Sequence, residues 1–185
     1  MKQAISFVHA FLLLLLATAS LSVGAAGEKL QRIELGATAQ IHRFGNIYLA
    51  SQPAQGDFAL ARKQGVTRVL NLRPTEENRD FDERELVKGA GLDYLHIPVG
   101  GPADLTDAVF ESVRKELKGA SQPLLLHCAS GNRVGALWIP FRVLDGGVTV
   151  EQAVAEAKTI GLKSPELEKI ARDYIAKQKP QHHHH

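Results

Sequence analysis

The run Leu124-Leu125-Leu126-His127-Cys128-Ala129-Ser130-Gly131-Asn132-Arg133-Val134-Gly135 constrains this chain more than any other stretch. A short apolar segment ends in the only cysteine of the sequence. A loop containing Gly131 and Asn132 follows, then Arg133 and a second apolar segment that includes Trp138. The pattern reads as a buried strand, a tight turn and the first turn of a helix. Backbone N–H groups, a helix N-terminus and a guanidinium then surround one thiol. Such a cradle binds an oxyanion and favours the thiolate over the thiol.

The flanking sequence supplies a scaffold for that turn. Asn46 to Ser51 reads as a strand closed by Gln52-Pro53, and a helix from about Gly56 to Gln64 ends at Gly65. Val66 to Leu72 is a second strand, stopped by Arg73-Pro74, and the charged stretch Thr75 to Asp82 reads as a surface loop. A helix from about Asp82 to Ala90 precedes a third strand, Leu92 to Val99. Gly100-Gly101-Pro102 opens a loop carrying Asp104 and Asp107. Asp104 or Thr106 then caps a helix whose Val109, Phe110, Val113 and Leu117 share one face. After the cysteine loop, Asn132 to Leu144 is apolar enough to be the central buried helix, with Pro140 as a candidate kink. Val150 to Ile160 and Pro165 to Ala176 are amphipathic helices, the latter capped by Ser164. Residues 27–44 carry no clear pattern and read as a lead-in arm. Strands alternating with helices predict an α/β fold, a central, mostly parallel sheet of four or five strands flanked by helices.

The ends of the chain read differently. Met1-Lys2, the apolar run Phe11 to Leu16 and the small residues Val23, Ala25 and Ala26 make residues 1–26 a secretory signal peptide. Its apolar core is short for a membrane span of about 20 residues, which favours cleavage over anchoring. The terminal histidines, 182–185, read as an affinity-tag remnant. A single domain, 27–180, remains, expected to be exported into a bacterial periplasm and, after cleavage, free of stable membrane association. Charges of both signs are interspersed, without the basic face that nucleic acid requires. A lone cysteine in an oxidising compartment forms no internal disulfide and is a liability unless buried or used.

The cysteine loop resembles the signature loop of the cysteine-dependent protein tyrosine and dual-specificity phosphatases, whose pattern is His-Cys, five residues, Arg, then Ser or Thr. Ile47-Tyr48-Leu49-Ala50-Ser51-Gln52-Pro53, Gly65-Val66 and Val69-Leu70-Asn71-Leu72-Arg73-Pro74 resemble the opening of dual-specificity phosphatases. Four residues, not five, separate Cys128 from Arg133, and Val134 stands in place of the hydroxyl residue. This combination is more similar to a bacterial subfamily, the phosphatase-like domain also attached to beta-lactamase-like hydrolases.

The resemblance implies hydrolysis of phosphate monoesters through a cysteinyl-phosphate. Cys128 is then the nucleophile and Arg133 the phosphate clamp. Ala129, Ser130, Gly131, Asn132 and Arg133 form the phosphate-binding loop, with His127 as a buried orienter of the thiolate. The family's acid/base aspartate lies on a loop upstream of the cysteine, which makes Asp104 the first candidate and Asp107 the alternative. Both carboxylates also suit a purely structural role at a helix N-terminus. Arg73, Glu76 and Glu77 flank the expected site and could contact substrate, but a solvated charged loop is the better account of them. No metal or other cofactor is needed, and no ligand-spaced His/Cys cluster occurs outside the tag. The expected partner is a phosphorylated protein or small phosphoester. The shortened loop keeps a rival open, since rhodanese-like sulfurtransferases also use Cys, four residues, Arg, to hold a persulfide. A non-catalytic phosphate-binding pseudophosphatase is a third reading.

Overall fold

The computed structural model describes residues 28–77 and 80–178. The expected signal peptide and the histidine tail lie outside the described residues. Six strands, β1 (Gln31–Arg32), β2 (Ile41–Phe44), β3 (Ile47–Ala50), β4 (Arg68–Asn71), β5 (Asp93–His96) and β6 (Leu124–His127), form one sheet in the order β1-β2-β3-β6-β4-β5. The four strands read from the sequence are β3, β4, β5 and β6, and all three of their pairings are parallel. The sheet is therefore larger than the four or five strands expected, because residues 27–44 contribute an antiparallel pair. β2 joins β3 through the two-residue turn Gly45-Asn46, with Gly45 at a φ of 55°. That Gly-Asn pair between Phe44 and Ile47 is a hairpin signal.

Alternation along the strands assigns the two faces. Tyr48, Ala50, Val69 and Leu125 point to one side and pack with Phe58 and Ala61 of α1 (Asp57–Lys63) and Val87 of α2 (Glu83–Gly89). Ile47, Leu49, Leu70, Leu124 and Leu126 point to the other. There they meet α3 (Asp107–Lys118), α4 (Asn132–Leu144), α5 (Val150–Ile160) and α6 (Pro165–Gln178). α4 is buried continuously from Val134 to Pro140 and runs through the middle of this larger layer. Thr106 caps α3 through Val109 N–H, and Ser164 accepts from Leu167 N–H at the start of α6, as their positions in the sequence suggest. The chain is thus a mixed α/β domain with helices on both faces of its sheet.

The strand order fixes where chemistry can occur. β6 is inserted between β3 and β4, so the loops after β3 and β4 flank the carboxyl end of β6. A crevice at such a switch point is the usual ligand position of an α/β sheet. Cys128 is the first residue beyond β6.

Candidate active site

The loop from Cys128 to Arg133 is fixed from both sides. Cys128 N–H donates to Ala50 O at 3.4 Å, Gln52 N–H to Ala129 O at 3.1 Å, and Leu72 N–H to His127 O at 3.0 Å. The turn itself depends on Gly131, at a φ of 87°. A Cβ there would lie 2.4 Å from Ile160 O, so the position has neither the conformation nor the space for a side chain. Gly131→Ala is expected to destabilise the domain by about 3 kcal/mol, combining left-handed strain with a backbone clash. That corresponds to a fall of roughly 10 °C in Tm. A thermal melt shifted by less than about 2 °C would show that the α5 end yields easily.

Around this turn the expected residues occupy distinct environments. Cys128 is fully buried, and its Sγ accepts a hydrogen bond from Gly131 N–H at 3.2 Å. Ala129 and Ser130 are exposed at the mouth of the loop. Asn132 Oδ1 accepts from Lys163 N–H at 2.8 Å and Ser164 N–H at 3.2 Å, so its side chain anchors the α5–α6 connection and only its backbone belongs to the loop. Val134 is buried in the core. His127 is fully buried, but its ring approaches the carbonyl oxygen of Cys128 and not the sulfur.

Arg133 is the hub of the rim. Its Nη1 donates to Glu77 Oε1 at 2.8 Å and to Val99 O at 2.6 Å, and its Nη2 donates to Glu77 Oε2 at 2.8 Å. Burial works against its charge. Hydrogen bonding to Glu77, the charges of Cys128 and Glu77 and a hydrogen bond to Cys128 outweigh that cost, holding the guanidinium above its ordinary pKa. The bond from Arg133, first among the causes, holds the Glu77 carboxyl below the usual range, with the Arg133 charge and Arg73 adding to it. Glu77 is therefore no freely solvated loop charge. Arg73 ties the same loop down, donating from Nη2 to Glu77 O and from Nη1 to Gln52 Oε1, both at 2.7 Å.

The two candidate acids separate. Asp107, in the first turn of α3, pairs with Lys177 of α6 at 3.1 Å. Asp104 lies in the short 3-10 turn Pro102–Asp104, where Oδ2 accepts from Gly100 N–H at 2.7 Å and Gly101 N–H at 3.2 Å. Its loop starts directly after Val99, the residue whose carbonyl receives Arg133.

Behind the loop is a group that sequence reasoning missed. Glu83, at the start of α2, is buried, and its Oε1 lies 2.7 Å from His127 Nε2. Gln52 Nε2 donates to its Oε2 at 2.8 Å. Desolvation pushes the Glu83 pKa up, but the hydrogen bond and charge of His127, the Gln52 bond and the Arg73 charge prevail and hold it below the usual range. No local signal marks Glu83, which resembles any first-turn acidic residue of a helix. No group of three or more His, Cys, Asp or Glu side chains among the described residues is arranged to hold a metal ion.

Comparison with known proteins agrees with this architecture. The family described as "Beta-lactamase hydrolase-like protein, phosphatase-like domain" matches residues 44–143. A beta-lactamase hydrolase-like protein of Agrobacterium fabrum is 31% identical over 117 residues, which cover 61% of this chain and 27% of that protein. A Xylella fastidiosa counterpart is 28% identical over 111 residues, covering 58% of this chain and 26% of that protein. The chain thus spans about a quarter of the length of the curated relatives it matches. Among solved structures, Pseudomonas aeruginosa TpbA superimposes with a TM-score of 0.63 at 22% identity, covering 81% of this chain and 90% of that one. The kinase associated phosphatase, with its catalytic-site cysteine replaced by serine, gives a TM-score of 0.64 at 14% identity over 82% of this chain and 98% of that one. These two likenesses establish the fold.

Proposed function

Because the chain belongs to the family of the phosphatase-like domain of beta-lactamase hydrolase-like proteins, we propose that it is a cysteine-dependent phosphatase acting on phosphate monoesters. One observation supports this most strongly. The Cys128 sulfur, the Gly131 N–H, the start of α4 and the Arg133 guanidinium converge at the carboxyl end of the central strand. The same elements that favour a thiolate also suit the equatorial oxygens of a transferring phosphoryl group.

In the proposed reaction the Cys128 thiolate attacks phosphorus in line, forming an S–P bond as the P–O bond to the leaving group breaks. Arg133 and the loop N–H groups take the charge on the phosphoryl oxygens. Asp104 protonates the leaving oxygen, then as a carboxylate removes a proton from the water that cleaves the S–P bond. Inorganic phosphate and the thiolate are released. Glu77 is unsuited to the acid role because Arg133 keeps it ionised. Asp107 is engaged by Lys177. Val134 offers no hydroxyl to ease departure of the thiolate, so breakdown of the intermediate is expected to limit turnover.

The test is hydrolysis of para-nitrophenyl phosphate under reducing conditions, with vanadate as inhibitor. Absence of Cys128-dependent release, with thiosulfate-to-cyanide transfer in its place, would move the assignment to sulfur transfer. The acid is tested separately. Asp104→Asn should lower kcat by about 10²-fold for an alkyl phosphate but by less than about tenfold for para-nitrophenyl phosphate, whose leaving group departs without a proton. Equal losses for both esters would make Asp104 a structural cap of its loop. TpbA has been crystallised in complex with phosphotyrosine, so a phosphotyrosine peptide is the first biological class to assay. With the expected signal peptide, the reading places the enzyme outside the cytoplasm.

A further inference from the structure

Away from the catalytic loop, one buried group is left without a partner. Among the described residues, Nδ1 of His42 is the single buried side-chain polar atom that makes no hydrogen bond. His42 lies inside β2 and is 3% exposed. An unpaired buried nitrogen is costly, and its protonated form costs more. We propose that His42 is an acid-operated release for the N-terminal strand pair: in mildly acidic solution, protonation of its ring opens β1 and the leading end of β2. His42 plays no part in the reaction assigned to Cys128.

Register places the ring. His42 lies opposite Arg32 of β1 and Leu49 of β3, so its side chain shares a face with theirs and with Gln40 and Phe44, two residues to either side. Helices cover this face. Gln40 Nε2 donates to Thr159 O near the end of α5 at 2.9 Å, and the Arg142 guanidinium of α4 lies 4.3 Å from the Phe44 ring centre. The carboxylates of the surrounding elements are committed elsewhere or exposed. On α5, Glu156 accepts from Arg142 and from Trp138 Nε1–H. Glu151 and Lys158 of α5 pair with Arg172 and Glu168 of α6. β3 carries no charged residue. Before β2, Glu28 lies beside Gly45, while Lys29 and Glu34 are exposed. The charge that bears on the ring is that of Arg32, and it is positive. Burial first, and then Arg32, hold His42 below the ordinary histidine pKa.

The strand pair is lightly fastened. β1 is two exposed residues long and pairs with β2 alone, where Ile33 N–H donates to Ile41 O at 3.2 Å. On the other face, Asp57 of α1 accepts from Ala37 N–H and Thr38 Oγ1, so the connection between the strands stays anchored while they open toward α5. Segments with few buried contacts open at free energies well below that of the whole domain. At the start of β2, Ser51 N–H donates to Gln40 O at 2.8 Å and Gln40 N–H donates to Ser51 Oγ at 3.1 Å. Gln52, the next residue, donates its N–H to Ala129 O of the catalytic loop. The opening thus reaches to within one residue of a contact that shapes the site.

The sign of the pH effect follows from the depressed pKa. An opened strand pair exposes a histidine that takes up a proton near pH 6.5, whereas the closed pair does so only at lower pH. Closure is therefore fully favoured above about pH 6.5 and weakens as pH falls below it. The experiment is amide hydrogen exchange on the full chain at about pH 7.5 and about pH 5, each rate divided by the intrinsic rate at that pH. Protection at Ile33 and Ser51 should fall about tenfold in acid, while Leu126 of β6, paired on both sides, changes by less than about twofold. His42→Leu removes the titrating group and keeps the position apolar, so the fall at Ile33 and Ser51 should disappear. His42→Gln, neutral at both pH values, should behave alike and covers the case in which leucine does not fit. A fall that persists in the variants, or an equal fall at Leu126, would overturn the proposal. In the unaltered protein, the ring C–H resonance of His42 should titrate below about pH 6.5, and a midpoint at or above that value would refute it.

Discussion

Replacing Cys128 by serine is expected to abolish phosphate ester hydrolysis, lowering kcat by at least about 10⁴-fold, while leaving the fold and oxyanion binding in place. The physical reason is the difference between a thiolate and an alcohol in the same cradle. Gly131 N–H donates to this sulfur and the Arg133 guanidinium lies near it, donors that suit an attacking thiolate, but a serine hydroxyl is far too weakly acidic to form an anion there. Among the described residues His127 is not placed to serve it as a general base, because its ring addresses the Cys128 carbonyl oxygen and Glu83. The side chain is fully buried, and serine is nearly isosteric, so the loop keeps its shape. Vanadate or inorganic phosphate should therefore bind the variant with an affinity within about tenfold of the unaltered protein, a change of about 1.4 kcal/mol. Calorimetric titration checks binding, and para-nitrophenyl phosphate hydrolysis checks turnover. Hydrolysis persisting within tenfold of the original rate would remove Cys128 from the nucleophile role. Loss of both hydrolysis and binding would instead mean that the thiol holds the loop together.

What the sequence disclosed follows from how local each signal is. α4 and α5 begin and end where they were expected because their boundaries are written in adjacent residues, the Gly131 turn for one and the Thr149 cap for the other. The parallel strands were legible as short apolar runs closed by Pro or Gly. β2 was not, since Ile41-His42-Arg43-Phe44 alternates imperfectly and buries a histidine in a strand paired on both sides. The site divides in the same way. Cys128, Gly131 and Arg133 are contiguous and carry a recognisable spacing. Glu77 reaches Arg133 across 56 residues, and Glu83 reaches His127 across 44. Those pairs exist only because β6 is inserted beside β4, a fact of topology that no local pattern encodes. The charged stretch Thr75 to Asp82 was readable as a loop, yet its chemistry depends on which strand lies next to it.

That topology makes Arg133 the second decisive test. Arg133→Lys is expected to lower kcat/KM for phosphate esters by about 10³-fold, or about 4 kcal/mol of transition-state stabilisation. Charge is conserved, so the loss reports geometry. Arginine uses its fork to hold Glu77 with two parallel bonds while Nη1 also reaches Val99 O. An ammonium offers a single point charge, which cannot grip two phosphoryl oxygens and keep the rim assembled together. A control separates the two duties. Glu77→Gln leaves the guanidinium in place but weakens its hold on the rim, so it should cost less than about tenfold if Arg133 acts chiefly on phosphate. If Glu77→Gln were as damaging as Arg133→Lys, the ion pair itself would be the essential element, and Arg133 would act by fixing the Glu77 loop. If Arg133→Lys cost less than tenfold, the backbone N–H groups from Ala129 to Arg133 and the α4 N-terminus would carry the phosphoryl charge, and the short loop would stand as a cradle built from main chain alone.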